Sequence, residues 1–341
     1  MKVALRVLTL ISARTCNIIA ANVMVDPVAD EIDGFVRSPC SNAPATGPGR
    51  PRIRIITLRV ANFHHLRTTG SARSFYARWD AAHARWAWRN HYSLHVHDIL
   101  DPPHNVSRKA LNWRKLLLLG RALADPNIDY VMWLDADIVV TNASVQLEDF
   151  LDAARHRHVI AGLTMSEHDC LSDGCVPRAE SNTGALLVRN TCVARRLLSE
   201  WWHAGDGEPG LDVAGTTTDQ LAFNQVLLRW LEGACSHKRE PLEGRDHCTR
   251  FWRPLQEPEY YACFRAAFDR SAHCKARSPF LVGNDLASGP AQWRPGSFAF
   301  HAYGTRGHAP VALLPHLVHL EHSLGLTQGL PAVPCGDIEA R

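Results

Sequence analysis

Two carboxylates separated by a single residue follow an apolar run in the segment YVMWLDADIVV, at residues 130–140. Side chains two residues apart lie on the same face of an extended strand, so Asp135 and Asp137 can share one cation if the segment stays extended. Without a cation between them, two like charges beside an apolar core are costly. Oxygen ligands of this kind favour Mg²⁺ or Mn²⁺. The spacing therefore predicts a divalent metal site.

The overall composition is that of an ordinary globular protein. The chain has 341 residues, of which 46% are hydrophobic and 21% charged, enough for one large domain or two small ones. Its 37 basic and 34 acidic residues leave a formal charge of +3. This charge is too small and too scattered to indicate a nucleic-acid partner, and we predict none.

Cysteines and sequons favour an oxidising secretory compartment. There are ten cysteines, and the sequons begin at Asn105 and Asn142. The alternative interpretation is that the cysteines are reduced and structural and that the sequons arose by chance. A zinc site formed by some of the cysteines is a less favoured alternative, because the candidate ligands match no familiar spacing. These candidates are His247, Cys248, Cys263, His273 and Cys274.

The first 52 residues contain no predicted domain. Residues 1–25 have a basic residue, Lys2, near their start and then an apolar run, which is typical of a signal peptide or a weak signal anchor, although Arg6 and Arg14 interrupt the run. Residues 26–52 are rich in Pro, Gly, Ser and Asp and are predicted to form a stem or linker.

Strands and helices alternate after the stem. The predicted strands are 53–60, 92–100 and 130–140, and the predicted helices between them are 71–91 and 107–126. This order predicts an α/β fold with parallel strands and right-handed crossovers. In such sheets ligands bind beyond the carboxyl ends of the strands, where Asp135 and Asp137 lie.

The second half of the chain is predicted to complete the same fold. We expect a strand at 158–165, a turn leading into another strand at 181–191, and helices at 192–204 and 216–231. A last strand-like run at 297–304 precedes a weak helix. We place one catalytic domain at 53–310 and a C-terminal helix and tail at 311–341.

Four segments in order resemble one known family. They are NWRKLLLLGRALADPNIDYVMWLDADIVV, SNTGALLVRN, TTDQLAFNQVLL and FAFHAYGTRG. Together they resemble the nucleotide-sugar glycosyltransferases of the GT-A fold, and within these the galactosyl/mannosyl/xylosyltransferase group. The resemblance covers about residues 53–310. It implies a GT-A, Rossmann-like fold with a mostly parallel central sheet flanked by helices in a single domain.

The resemblance also implies a set of site residues. Asp135, Asp137 and His301 would bind the metal. The donor-binding set is Asp135, Lys115, Thr57 and Gly184, and the catalytic set is Asp219, Gln220 and Asn182.

Each of these residues also has a structural interpretation. Lys115 can be a solvated helix lysine, Asp219 a helix cap, and His301 a structural histidine. The sequence Asn-Thr-Gly at 182–184 can be an ordinary turn. The helical spacing of Trp79, Trp86 and Trp113 favours core packing over stacking on a sugar.

The function implied by the resemblance is metal-dependent sugar transfer. A UDP- or GDP-sugar would donate a hexose or pentose, with Mn²⁺ or Mg²⁺, to a glycan or glycoprotein acceptor, with retention of configuration. The expected location is the Golgi or ER lumen, as a type II membrane protein if the N-terminal segment is kept as an anchor. The donor base, the sugar and the acceptor remain open.

Two other functions compete with this one. The segment WLDADIVV is also similar to the nucleophile strand of haloacid-dehalogenase-type phosphatases, in which Asp135 would be phosphorylated and Asp137 would be the acid/base. That family places the motif on its first strand and needs a late acidic pair, whereas VGNDLASG offers only Asp285. A non-catalytic lumenal sugar-binding protein is the other alternative.

Overall fold

The computed structural model describes most of the predicted domain. The described residues are 34, 40, 49–60, 70–99, 108–152, 158–166, 178–205, 219–235, 280–283, 293–295, 297–302 and 309–326. Residues 1–25, the sequon at Asn105, the five candidate zinc ligands and Asp285 lie outside these ranges. The predictions that rest on them, and the predicted domain boundaries, stay predictions.

Strands and helices alternate as the sequence predicts in the first half of the chain. The strands are β1 (Ile53–Val60), β2 (Ser93–Ile99), β3 (Tyr130–Leu134), β4 (Ile138–Val140), β5 (Val159–Ser166), β6 (Arg178–Arg189), β7 (Phe280–Gly283) and β8 (Ala299–His301). The helices are α1 (Gly70–Arg89), α2 (Arg108–Ala124), α3 (Leu147–Asp152), α4 (Cys192–Gly205), α5 (Asp219–Cys235) and α6 (Ala309–Ser323).

Six of these strands form one mixed sheet in the order β2-β1-β3-β6-β5-β7. Strand β1 pairs in parallel with β2 and β3, and β5 pairs in parallel with β7. Strand β6 runs antiparallel to both of its neighbours, β3 and β5. The predicted fold class, α/β with a mostly parallel sheet and flanking helices, is therefore confirmed, with β6 as the antiparallel member.

Both faces of the sheet are buried, which explains why its central strands are apolar without interruption. Ile55 and Met132 pack against one cluster, which contains Trp79 and Trp86 of α1 and residues of α6. Their neighbours in sequence alternate to the opposite face and join a second cluster with residues of α2, α4 and α5. These neighbours are Ile56, Val131 and Trp133.

The segment 130–140 is not one extended strand, so the condition for Asp135 and Asp137 to share one strand face is not met. Strand β3 ends at Leu134, and a turn follows in which the Ile138 amide donates to the Asp135 carbonyl at 3.0 Å. The chain then leaves the large sheet as β4, which pairs antiparallel with β8. The two aspartates thus sit on a turn between two sheets.

Two smaller expectations are corrected as well. The Asn-Thr-Gly sequence at 182–184 is not a turn before the strand but lies inside β6, which begins at Arg178. The register between β6 and β5 shifts between Ala161 and Gly162. The last strand is shorter than predicted and covers only Ala299–His301. It is kept in place by its pairing with β4.

A disulfide between Cys40 and Cys192 joins the segment before the domain to the start of α4. The two cysteines are 152 positions apart in sequence, so the bond closes a long loop. Among the described residues, no helix combines the length and apolar character that a membrane crossing needs.

Candidate metal-binding active site

Asp135, Asp137 and His301 meet at the carboxyl end of β3. One ligand atom from each lies within 4.8 Å of the others. His301 Nε2 is 3.3 Å from Asp137 Oδ1, and the Ala302 amide donates to the Asp137 carbonyl at 3.0 Å. The pairing of Ile138 with His301 across β4 and β8 brings the distant histidine to the aspartates. The predicted three-residue metal group is therefore assembled in the structure.

Asp135 is held by contacts to its main chain and to its side chain. Its amide donates to the Gly184 carbonyl at 2.8 Å, which extends the pairing of β3 with β6. Its Oδ1 accepts a hydrogen bond from Trp133 Nε1 at 2.6 Å. One carboxylate oxygen is therefore oriented by the indole, while Oδ2 is directed towards Gly184.

Gly184 lines the metal group because it has no side chain. A Cβ at this position would lie 2.7 Å from His301 Cε1, 2.8 Å from Asn182 Oδ1 and 3.0 Å from Asp135 Oδ2. Its amide donates to Asn182 Oδ1 at 2.6 Å. Because carbon atoms are not found at such distances, only glycine fits here without displacing a ligand.

Lys115 forms a buried ionic network beside the metal group. Its Nζ lies 2.6 Å from Asp219 Oδ2 and 3.7 Å from Asp135 Oδ1, and it donates to the carbonyl and hydroxyl oxygens of Thr183. The Thr183 hydroxyl in turn donates to Asp219 Oδ2 at 3.1 Å. Only 5% of Lys115 is exposed, so the interpretation as a solvated helix lysine is wrong.

Gln220 and Asp219 open helix α5 next to this network. The Thr183 amide donates to Gln220 Oε1 at 3.4 Å. The Asp219 carbonyl accepts from Trp201 Nε1 at 2.6 Å, which fixes the start of the helix against α4. The structure therefore brings together the three predicted catalytic residues, Asn182, Asp219 and Gln220, around the same segment of β6.

Opposing charges control the protonation of the cluster. Burial raises the pKa of Asp135, and Asp137 adds to this, while Lys115 acts in the opposite direction. Burial opposes protonation of His301, but Asp137 and Asp135 outweigh it, so the His301 pKa lies above its usual value. Burial likewise opposes a charge on Lys115, yet Asp135 and Asp219 raise its pKa. Lys115 is therefore charged at neutral pH.

The charges and ligand types fit a divalent cation. When Asp135, Asp137 and Asp219 are ionised and His301 is neutral, three negative charges face the single positive charge of Lys115. These five side chains together then carry a net charge of −2, which one divalent ion neutralises. Two carboxylates and an imidazole are suitable ligands for Mn²⁺, and Gly184 leaves the space between them clear.

Thr57 is the one predicted site residue that the described contacts do not link to the cluster. It lies in β1 opposite Val96, is fully buried, and its hydroxyl makes no hydrogen bond to another described residue. Its assignment to donor binding stays a prediction. Trp86 and Trp113 are buried in the core as predicted, and so is Trp79.

Three residues near the metal group carry no functional signal in the sequence. Thr183 stands between two candidate residues and bridges Lys115 and Asp219. Trp133 belongs to the strand before the aspartates, and its indole donates to Asp135. Tyr76 of α1 is the third, because burial and then the charge of Asp137 raise the pKa of Tyr76 to about 12. No sequence signal marks Tyr76, because its proximity depends on the packing of α1.

No family model and no curated protein matches this sequence. Similar solved structures include a glycosyltransferase involved in glycosylation of the major capsid of PBCV-1, with 13% identity, a TM-score of 0.43, and coverage of 80% of this chain and 100% of that one. The glycosyltransferase GlyE of Streptococcus pneumoniae is 13% identical, with a TM-score of 0.33 and coverage of 82% and 65%. A protein assigned as a nucleotide-diphospho-sugar transferase, from Desulfovibrio desulfuricans, is 10% identical, with a TM-score of 0.33 and coverage of 66% and 99%.

All three neighbours are sugar transferases by their descriptions, which is the class that the sequence resembles. Identities of 13% or less and TM-scores below 0.5 describe a distant likeness. It carries no functional conclusion by itself, and the function has to be inferred from the site.

Proposed function

We propose that this chain is a metal-dependent glycosyltransferase. It transfers a hexose or pentose from a UDP- or GDP-sugar to a glycan or glycoprotein acceptor, with retention of configuration. The observation that carries the proposal is the convergence of Asp135, Asp137 and His301 within 4.8 Å beside the buried pair of Lys115 and Asp219. The group lies at the carboxyl end of a parallel strand, where α/β sheets bind their ligands.

The metal ligands would be Asp135, Asp137 and His301, and the ion would be Mn²⁺ or Mg²⁺. When bound, such an ion neutralises the charge that develops on a diphosphate leaving group. Backbone hydrogen bonds fix the main chain of Asp135 and Asp137 in the turn between β3 and β4, and the Trp133 indole orients the Asp135 carboxylate. This preorganisation lowers the cost of assembling the site in each reaction cycle.

The protein groups beside the metal would orient the donor sugar. Lys115 and Thr183 hold the Asp219 carboxylate. Gln220 accepts from the Thr183 amide of β6, and Asn182 is the neighbouring residue of the same strand. We infer that these polar groups bind the sugar on its catalytic face. We assign no covalent nucleophile, so the proposal does not include a glycosyl-enzyme intermediate.

Donor hydrolysis tests this function directly. The purified protein is incubated with a panel of UDP- and GDP-sugars and Mn²⁺, and slow release of the nucleotide is measured, with Asp137→Ala as the control. We expect hydrolysis of one donor that depends on Mn²⁺ and is lost in the variant. Failure to bind or hydrolyse any donor, or equal activity of Asp137→Ala, would contradict the proposal.

The two competing functions are separated by simple observations. A phosphatase with Asp135 as nucleophile would form a covalent aspartyl phosphate, which acid quenching traps and hydroxylamine cleaves. In this structure Trp133 donates a hydrogen bond to the Asp135 carboxylate, which also faces Lys115 and lies in one group with Asp137 and His301. A non-catalytic sugar-binding protein would not bind a nucleoside diphosphate in a metal-dependent manner.

For the location of the enzyme, we propose the Golgi or ER lumen. The disulfide between Cys40 and Cys192 supports this, because such bonds persist in oxidising compartments. Fractionation of cells that express the full chain, with protease protection of the lumenal part, tests it. Localisation to the cytosol would contradict this part of the proposal.

A further inference from the structure

Strand β4 has two edges, and within the described part of the chain only one of them pairs with another strand. The Asp137 carbonyl accepts from Ala302, and the Thr141 amide donates to Phe298, so the main-chain groups of these residues face β8. Backbone direction alternates along a strand, and the Ile138 carbonyl and the Val140 amide therefore face the other way. An edge with unpaired polar groups inside a core is costly.

Two side chains of α1 complete this second edge. Trp79 Nε1 donates to the Ile138 carbonyl at 2.8 Å, and the Val140 amide donates to His83 Nε2 at 3.2 Å. The two rings are stacked, with centroids 3.7 Å apart and an interplanar angle of 16°. Both side chains are fully buried. An indole and an imidazole thus supply the donor and the acceptor that a neighbouring strand would otherwise provide.

This arrangement determines the tautomer of His83. The Trp79 carbonyl lies 2.8 Å from His83 Nδ1, and a carbonyl can only accept, so Nδ1 carries the proton. Nε2 is then a bare acceptor for the Val140 amide. Nδ1 anchors the ring to its own helix, while Nε2 and the Trp79 indole bind β4, so these two side chains fix the helix against the strand.

The locked strand begins next to the metal group. Ile138 directly follows Asp137, and it pairs across β4 and β8 with His301. We propose that Trp79 and His83 are positioning residues for the metal site, which they serve by fixing the outer edge of β4 and thereby the relative placement of Asp137 and His301. This inference rests on the proposed metal site and adds to it two residues that contact no ligand.

Metal affinity measured apart from stability tests the inference. The Mn²⁺ dissociation constant is determined from the electron paramagnetic resonance signal of free Mn²⁺, and the unfolding midpoint is measured without metal. The test variants are Trp79→Phe and His83→Leu. Trp86→Phe is the matched control, because Trp86 is a fully buried indole of the same helix whose Nε1 has no hydrogen-bond partner among the described residues. His83→Gln is the rescue variant, since its amide oxygen can accept from Val140.

We expect Trp79→Phe and His83→Leu to weaken Mn²⁺ binding about five- to tenfold, as the loss of one buried hydrogen bond implies. Trp86→Phe should lower the unfolding midpoint but change the dissociation constant less than about twofold, and His83→Gln should recover most of the affinity. If both test variants lose stability as Trp86→Phe does and bind Mn²⁺ like the wild type, the positioning role is wrong. If the wild type binds no Mn²⁺, the metal site itself is wrong, and the positioning role falls with it.

The tautomer provides an independent readout. Nitrogen chemical shifts of His83 in the ¹⁵N-labelled protein should show a protonated Nδ1 and an unprotonated Nε2. A protonated Nε2 would overturn the proposal even if His83→Leu failed to fold, because Nε2 could not then accept from Val140.

Discussion

Gly184 is the residue at which the site is most sensitive to a single methyl group. A Cβ here would approach His301, Asn182 and Asp135 at 3.0 Å or less. We expect Gly184→Ala to weaken Mn²⁺ binding about tenfold or more, a loss typical of disturbed contacts around metal ligands. Overpacking should also lower the free energy of unfolding by about 1–3 kcal/mol.

Calorimetric titration with Mn²⁺ and urea unfolding together check this expectation. A folded Gly184→Ala protein with wild-type affinity would mean that the ligands have room to move, and that glycine is not required by the metal site.

Lys115 is the cation that makes the carboxylate cluster tolerable without metal. Its removal in Lys115→Met leaves Asp219 and Asp135 without a buried counter-charge, which should destabilise the metal-free protein by about 3–5 kcal/mol. Mn²⁺ should then raise the unfolding midpoint of the variant more than that of the wild type, because a bound cation restores part of the lost charge.

The control for Lys115→Met is Arg196→Met, which breaks the exposed i,i+4 pair with Glu200. We expect that change to cost less than about 1 kcal/mol, with no change in the response to Mn²⁺. Thermal unfolding with and without Mn²⁺ measures both variants. Equal metal-induced shifts in Lys115→Met and the wild type would contradict the compensating role of Lys115.

The contact between helix α1 and strand β4 makes the free energy of unfolding depend on pH, because it includes the buried histidine His83. Burial lowers the pKa of His83 from 6.5 to about 4, although its hydrogen bond to the Trp79 carbonyl acts in the opposite direction. His83 is therefore protonated near pH 6.5 in the unfolded chain but only near pH 4 in the folded protein. The resulting contribution is fully present above that pH and is lost as the pH falls from about 6.5 towards 4.

Urea unfolding at pH 7 and pH 5 in the presence of a chelator measures this dependence. Between these pH values the wild type should lose about 2 kcal/mol more stability than His83→Gln, in which the titrating group is absent. The comparison between variants is needed because burial also lowers the pKa values of His95 and His97 in β2. Parallel losses in both proteins would show that His83 does not carry the effect.

Strand β6 runs antiparallel to β3, so its two ends place the metal group and the disulfide at opposite ends of the sheet. Gly184 in β6 lies near the metal group, whereas Arg189 pairs with Tyr130 at the beginning of β3. Cys192 follows Arg189, so the disulfide to Cys40 lies at the end of the sheet opposite the metal site. Cys40 is thus attached at the end of the sheet opposite the candidate metal site.

Removal of this disulfide should change stability without changing the site. We expect Cys40→Ser to lower the free energy of unfolding by about 3–5 kcal/mol, because the bond closes a loop of 152 positions and limits the unfolded chain. The Mn²⁺ dissociation constant should be unchanged. Unfolding with and without a reducing agent, and peptide mapping of the linked cysteines, check the prediction. Free thiols at both positions would contradict it.

Much of the fold and part of the site follow from local sequence patterns. The apolar runs of β1 and β3, and the helical spacing in α1 and α2, predict the alternating order that the structure confirms. Asp135 and Asp137 can be recognised as candidate ligands because two carboxylates separated by a single residue after an apolar strand need a counter-charge. His301 was linked to them only through resemblance to a family, since 164 positions separate it from Asp137.

Other features depend on tertiary structure, because they arise where segments distant in sequence pack together. The turn at Asp135 divides the segment 130–140 into β3 and β4, because β4 pairs with β8, about 160 positions later, and not with the large sheet. Lys115 is buried among groups that are distant in sequence, including Thr183 and Asp219. Local patterns encode periodicity and charge, and they determined the strands, the helices and the pair of carboxylates. Packing of distant segments decided which side chains complete the site: Thr183 beside Lys115, and Trp79 and His83 along the edge of β4.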